Sequence, residues 1–129
     1  MIYTLEKGEI RYLLVRSRKG VYGFAKGHME PGETETETAY REIREETGLT
    51  VRLLDGFRAK ETYLLPQKEN TVKEVVYFIG FYSGQTPHFQ EKELTAVSLH
   101  SFEEAMTLLQ SESRRKVLAQ ADAFIRPAH

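Results

Sequence analysis

The sequence predicts a single α+β domain built around a mixed β-sheet. Strand-like and helix-like segments follow one another along the chain without the regular strand-helix-strand rhythm of a doubly wound fold. At 129 residues with 40% hydrophobic content, the chain has room for one compact core, and we assign residues 1–129 to one domain. The sequence contains no low-complexity stretch, long linker or internal repeat that would divide it.

Two strands near the N-terminus are expected to form a hairpin. Ile2–Leu5 and Ile10–Val15 are rich in β-branched and aromatic residues, and the Lys7-Gly8 pair between them is typical of a turn. The segment Lys19–Glu33 contains four glycines and one proline, which predicts a long irregular loop.

A helix is expected at residues 35–47. Thr34 and Glu37 form a capping-box pair, in which each side chain satisfies a free backbone N–H of the first helical turn. Gly48 stands where helices commonly end in the left-handed conformation. Both boundaries of this helix are therefore predicted from local signals.

Three further strands complete the predicted sheet. Residues 53–65 and 72–82 have strand character on either side of a turn at 66–70, and residues 93–99 form another strand.

Two helices are predicted in the C-terminal part. Ser101 and Glu104 repeat the capping-box pattern and begin a helix that extends to about Gln110. Residues 114–125 carry apolar side chains at helical spacing and form the last helix.

Composition excludes several classes of protein. The net charge of −1 argues against a protein that binds duplex DNA, because such proteins normally carry a clear basic excess. With no cysteine, a disulfide framework and a zinc-thiolate site are excluded. The apolar runs are too short to span a membrane, and the N-terminus lacks a signal-peptide pattern, so we expect a soluble cytoplasmic protein without a membrane partner.

The near-neutral total hides a strongly acidic segment. Between Glu30 and Glu46, seven acids face two bases. On the predicted helix, Glu42, Glu45 and Glu46 fall within one arc at the border of the apolar face, where like charges repel one another. A hard divalent cation would make this arrangement favourable, and Mg²⁺ or Mn²⁺ prefers oxygen ligands. The alternative is an ordinary charged surface helix with pairs such as Glu37–Arg41.

The segment from Gly27 to Leu49 resembles the box of the Nudix hydrolases. Its pattern is G-x5-E-x7-R-E-U-x-E-E-x-G-U, where U is aliphatic, and all nine specified positions agree. A chance match in one register is rarer than roughly one in 10⁸. The resemblance implies the Nudix fold, an α/β/α sandwich with the mixed sheet between helices, and hydrolysis of a nucleoside diphosphate linked to another group, assisted by Mg²⁺ or Mn²⁺.

The flanking residues resemble one subgroup of this family, the asymmetrical diadenosine tetraphosphate hydrolases. The subgroup has a K-G-H-x-E-x-G-E version of the box, which residues 26–33 match. Further matches follow in order along the chain, at Gly56, Phe57, Tyr63, Lys73, Tyr77, Glu93 and Phe124. The resemblance therefore implies a dinucleoside polyphosphate substrate and a single small-molecule nucleotide partner.

The resemblance also implies roles for individual residues. The metal ligands would be the carboxylates of Glu42, Glu45 and Glu46 with the carbonyl of Gly27. Glu42 is our first choice for the general base, and Glu93 is an additional metal ligand or the alternative base. Arg41 would orient a catalytic carboxylate, and Glu33 would do so across the loop. The expected catalytic set is Glu42, Arg41, Glu45, Glu46 and Glu93.

The substrate contacts implied by the resemblance are cationic and aromatic. Lys26, His28 and Lys73 are candidates for phosphate oxygens. Tyr63 and Phe124 match an aromatic pair that sandwiches a purine, and Tyr77 is a further candidate. For Phe124, core packing is the alternative and is slightly favoured by its place in the apolar stripe of the last helix, whereas Tyr77 has either role open.

Two other functions are compatible with the sequence. The chain is alternatively a nucleoside triphosphate or 5′-RNA pyrophosphohydrolase of the same family. A nucleotide-sensing module without turnover is the other alternative, although an intact box argues against it. The oligomeric state is not determined by the sequence.

Overall fold

A computed structural model of the chain describes residues 1–26, 29–64 and 71–126, with the backbone alone at residues 63 and 64. It contains eight strands and three helices within these ranges. The strands are β1 (Ile2–Glu6), β2 (Glu9–Ser17), β3 (Tyr22–Gly23), β4 (Arg52–Leu53), β5 (Ala59–Leu64), β6 (Val72–Tyr77), β7 (Gly80–Phe81) and β8 (Leu94–His100). The helices are α1 (Glu35–Thr47), α2 (Phe102–Leu108) and α3 (Glu112–Ile125).

The main sheet is mixed and is organised around β2. Antiparallel partners β1 and β8 lie on opposite edges of β2, since Tyr12 and Leu13 pair with both of them. The short β3 pairs with Val15 and Arg16 of β2. Since β8 pairs with the same two residues, β3 lies on the opposite edge of β2, which is the edge of β1. Beyond β1, the sheet continues through a parallel pairing to β7 and an antiparallel pairing to β4.

Alternating side chains of the central strands fill two cores. Tyr12 and Leu14 of β2 pack in the core that contains α2 and α3, whereas Leu13 and Val15 point to the opposite face and pack with Ile43 of α1. Because successive residues of a strand face opposite sides, a strand with four consecutive buried apolar residues needs a cover on both faces. This arrangement confirms the predicted α/β/α sandwich with a mixed sheet.

The helix α1 spans the predicted residues 35–47. The Thr34 side chain accepts a hydrogen bond from the Glu37 N–H, and the Glu37 carboxylate accepts one from the Thr34 N–H. Gly48 ends the helix with a φ of 73°, a left-handed conformation that favours glycine. Both boundary signals in the sequence are thus used by the folded chain.

The hairpin β5–β6 forms a separate two-stranded sheet. Its register pairs Glu61 with Val75 and Tyr63 with Lys73, which places these four positions on one face. The hairpin therefore presents Lys73 on the same side as the buried Glu61.

The two long strands predicted at 53–65 and 72–82 are each interrupted. Gly56, with a φ of 92°, separates β4 from β5, and residues 78 and 79 separate β6 from β7. At each break the chain changes partners: β5 and β6 pair with each other, whereas β4 and β7 pair in the main sheet. The prediction of two continuous strands was wrong, because a change of partner depends on tertiary structure.

The remaining elements follow the predictions closely. The N-terminal hairpin, the strand before α2 and both C-terminal helices are confirmed, with boundaries shifted by at most two residues. The predicted loop 19–33 contains the two-residue strand β3. Among the described helices, none combines the length and the apolar character that crossing a bilayer requires.

Candidate active site

A cleft of about 690 Å³ brings together residues that the sequence places far apart. The acidic side of α1 forms one wall, because residues three and four positions apart lie on the same face of a helix. Segments before α1, on β6 and before β8 supply the rest. Its lining includes the predicted carboxylates Glu42, Glu45, Glu46 and Glu93 and the predicted cations Lys26 and Lys73.

Arg41 binds several carboxylates at the cleft wall. Its Nε and Nη2 donate to the two carboxylate oxygens of Glu33, at 2.6 and 3.0 Å. Its Nη1 donates to Glu42 at 2.7 Å and to Glu45 at 3.2 Å. The planar guanidinium can satisfy all these acceptors at once, which fits the orienting role predicted for Arg41.

Glu33 positions Arg41 and is itself positioned by several hydrogen bonds. Besides the two bonds from Arg41, it accepts hydrogen bonds from the N–H of Glu30 at 2.8 Å and from the Thr38 hydroxyl at 3.0 Å. These bonds, led by those from Arg41, lower the pKa of Glu33 to about 2. Glu33 therefore stays ionised and connects the loop to α1 across the pH range in which proteins work.

Glu46 is the most perturbed carboxylate of the cleft. Burial, together with the charges of Glu42 and Glu93, raises its pKa to about 7, although a hydrogen bond of 3.0 Å from the N–H of Lys26 opposes this shift. Burial also raises the pKa of Glu42, against the opposing bond from Arg41. Carboxylates that repel one another in a partly dry cleft are typical of a site that binds a cation.

The donor set suits a divalent metal ion, although the side chains are not yet arranged around one. Within residues 1–26, 29–64 and 71–126, no three acidic or histidine side chains are placed to hold a metal ion as they stand. Glu42 and Glu45 turn toward Arg41, and Glu46 turns toward the N–H of Lys26. Rotation of these flexible side chains would supply the oxygen ligands that Mg²⁺ prefers. Gly27, the predicted carbonyl ligand, lies outside the described residues.

Lys26 and Lys73 form the cationic side of the cleft. Burial, followed by the charges of Arg114 and Lys73, lowers the pKa of Lys26, while Glu61 and Glu46 act in the opposite direction. Clustered cations with mutually unfavourable charges indicate a surface that suits an anionic ligand. His28, the third predicted phosphate contact, lies outside the described residues.

Tyr77 is a core residue. Its side chain is 2% exposed, its hydroxyl donates to Glu61 at 2.9 Å, and its ring packs edge-on against Phe24 at 5.4 Å. A ring covered to this extent is part of the core. Of the two roles left open for Tyr77, the structure shows core packing.

Phe124 is partly exposed and contacts a second aromatic ring. Its ring, 42% exposed, packs edge-on against Phe57 at 5.5 Å near the end of α3. The Tyr63 side chain lies outside the described part of the chain, so the predicted sandwich by Tyr63 and Phe124 stays a prediction.

The sequence analysis missed a buried charge cluster behind the cationic side. Glu61 has a side chain that is 3% exposed, and it accepts a hydrogen bond of 2.6 Å from Ser113 and lies 3.5 Å from Nε of Arg114. Burial alone would raise the pKa of Glu61, but bonds from Ser113 and Tyr77 and the charges of Arg114 and Lys26 lower it. Its position two residues from Ala59 and from Tyr63, on the apolar face of a strand, was the available signal.

Replacing Glu61 by alanine is expected to destabilise the protein by about 3 kcal/mol, because Arg114 then keeps a buried charge without its counter-charge. Urea unfolding of the variant and the wild type at pH 7 measures this difference in the free energy of unfolding. Lys60→Ala, on the exposed face of the same strand, is the matched control and should change stability by less than about 0.5 kcal/mol. A loss below about 1 kcal/mol for Glu61→Ala would show that the cluster contributes little.

A family model described as the NUDIX domain matches residues 1–121. The chain therefore belongs to the Nudix family, whose members hydrolyse phosphoric anhydride bonds. It is similar to the asymmetrical bis(5′-nucleosyl)-tetraphosphatases of Mus musculus and Rattus norvegicus. The identities are 31% and 30% over 130 residues, and each match covers 97% of this chain and 87% of the relative. Nudix hydrolases generally use divalent metal ions.

Solved structures share the same fold. A binary complex of an Ap4A hydrolase from C. elegans superposes with a TM-score of 0.86 at 22% identity, covering 96% of this chain and 92% of that one. A Nudix hydrolase structure from Listeria monocytogenes has a TM-score of 0.80 at 21% identity, with 96% and 89% covered. At these identities the likeness establishes the fold alone.

Proposed function

We propose that the protein hydrolyses dinucleoside polyphosphates and cleaves diadenosine tetraphosphate asymmetrically into ATP and AMP. The observation that carries the proposal is the cleft, in which the four carboxylates face Lys26 and Lys73. The similarity over 97% of the chain to relatives named asymmetrical tetraphosphatases supports this choice of substrate.

The cleft has separate places for a cation and for a polyanion. Glu42, Glu45, Glu46 and Glu93, with the carbonyl of Gly27, are the proposed ligands of Mg²⁺ or Mn²⁺. When bound, such an ion would neutralise phosphate oxygens and lower the pKa of the attacking water. Lys26, Lys73 and His28 are the proposed donors to the phosphate chain, where charge-assisted hydrogen bonds bind most strongly.

A carboxylate of the chain is also needed to accept the proton of the attacking water. We assign Glu42 as the general base that accepts the proton of the attacking water, with Glu93 as a further ligand or the alternative base. Arg41 supports Glu42 through the 2.7 Å bond and keeps its carboxylate at the cleft. Attack of the water oxygen on phosphorus forms one P–O bond as the bridging P–O bond breaks. The bridging oxygen leaves with the departing nucleotide and keeps the electron pair of the broken bond as negative charge.

A comparison of three substrates tests this proposal. With Mg²⁺ present, kcat/KM is expected to be at least about tenfold higher for diadenosine tetraphosphate than for 8-oxo-dGTP or triphosphorylated RNA. ATP and AMP should form in equal amounts, as chromatography of the products will determine. Preference for either other substrate would identify a pyrophosphohydrolase instead. Absence of turnover on all three, in a protein that still binds nucleotide, would favour the sensing module.

A further inference from the structure

A second cavity lies beside the carboxylate cleft. It has a volume of about 130 Å³ and lies between α1 and β6. Lys26, Met29 and Glu42 line both the cavity and the cleft, so that the two spaces meet at the catalytic wall. A group bound in the cavity would therefore be continuous with a ligand whose phosphates lie in the cleft.

The cavity walls suit a flat apolar ring. Ala39 and Ile43 line it from α1, and Val75 and Val76 line it from β6. A cavity of roughly 150 Å³ is known to accept one benzene ring, so that this space matches the six-membered ring of a nucleobase. Ala39 is the smallest of these side chains, and a larger residue at that position would occupy the space.

Two acidic residues of the cavity disfavour a phosphate group there. Glu35 and Glu74 both line the cavity, and each also contacts a cation: Glu35 pairs with Arg58 at 2.7 Å and Glu74 with Lys60 at 3.5 Å. Two carboxylates repel a phosphate group but retain oxygen lone pairs that can accept hydrogen bonds from an amino group. The cavity thus favours a base with an exocyclic amine over a phosphate.

We propose that this cavity binds the second nucleobase of a dinucleoside polyphosphate, with an adenine-type amino group directed toward Glu35 or Glu74. The inference rests on the proposed function, since it assumes a substrate with two bases joined by a phosphate chain. It adds a specificity site between α1 and β6, beside the carboxylate cleft.

The substitution Ala39→Leu tests the site by filling the cavity. Leucine is a good helix former, and filling an open space with an apolar side chain preserves or raises stability. KM for diadenosine tetraphosphate is expected to rise roughly tenfold with kcat within about twofold of the wild type, because burying one base against apolar walls contributes a factor of about ten. KM for adenosine 5′-tetraphosphate, which lacks the second base, should stay unchanged.

The matched control is Thr36→Leu, at an exposed position of the same helix that does not line the cavity. It should leave both KM values unchanged. An equal loss on both substrates in Ala39→Leu would mean that the substitution disturbs the catalytic wall, and unchanged values on both would mean that the cavity is empty during turnover. Either outcome overturns the inference. Failure of the wild-type protein to cleave diadenosine tetraphosphate at all would instead overturn the proposed function.

Discussion

Replacing Glu46 by glutamine is expected to reduce kcat about 1,000-fold and to make the metal-free protein more stable at pH 8. The loss of activity follows from the removal of one proposed metal ligand, because bound cations contribute several kcal/mol of transition-state stabilisation. The gain in stability follows from the raised pKa of Glu46, since the neutral amide carries no burial cost for a charge.

The sign of the pH dependence follows from the same pKa. A carboxyl group whose pKa rises from 4.5 to about 7 on folding binds its proton more tightly in the folded protein. The contribution of Glu46 to stability is therefore most favourable below pH 4.5, falls as pH rises toward 7, and is constant above it. After allowance for the partial exposure of Glu46, the cost at pH 8 is about 1–2 kcal/mol.

Urea unfolding at pH 5.5 and pH 8, in the presence of a chelator, measures this effect. The Glu46→Gln variant should show a smaller loss of stability between the two pH values than the wild type. Glu45→Gln is the matched control, because the Glu45 side chain is 51% exposed and its charge is well solvated. It should lower activity without the gain in stability. Full activity in Glu46→Gln would contradict its assignment as a metal ligand.

Replacing Arg41 by lysine is expected to lower kcat about 100-fold, although the charge is unchanged. A lysine ammonium cannot keep two parallel bonds to Glu33 while also holding Glu42 and Glu45, because those contacts use the planar fork of the guanidinium. Displacement of a catalytic group by about 1 Å can cost about a hundredfold in rate.

Steady-state kinetics measure the effect of Arg41→Lys, with the fold checked by circular dichroism. Arg44→Lys provides the control, since Arg44 is exposed on the same helix and should tolerate the change. Retention of full activity by Arg41→Lys would mean that Arg41 acts through its charge alone and does not position Glu42.

The half of the site that lies on α1 could be predicted because its signals are local. The capping pair Thr34 and Glu37 and the terminal Gly48 set the helix boundaries, and helical spacing then places the three carboxylates on one side. The bond between Glu33 and Arg41 spans eight residues and follows from the same short segment.

The contacts that could not be predicted join distant parts of the chain. Phe124 occupies a helical stripe, and nothing within α3 indicates that its ring meets Phe57. Tyr77 and Glu61 form a buried pair that depends on the register of β5 with β6 and on the docking of α3. A pattern within one element shows which face is apolar, but not which partner covers it.

Because β5 and β6 form a separate sheet, the two parts of the site can change independently in evolution. The carboxylates come from one segment around α1, whereas Lys73 comes from a hairpin whose strands pair with each other outside the main sheet. Substitutions at exposed positions of the hairpin can accumulate without disturbing the strands that support α1. Substrate preference can therefore diverge quickly between related enzymes of this architecture, while the group that activates water stays the same.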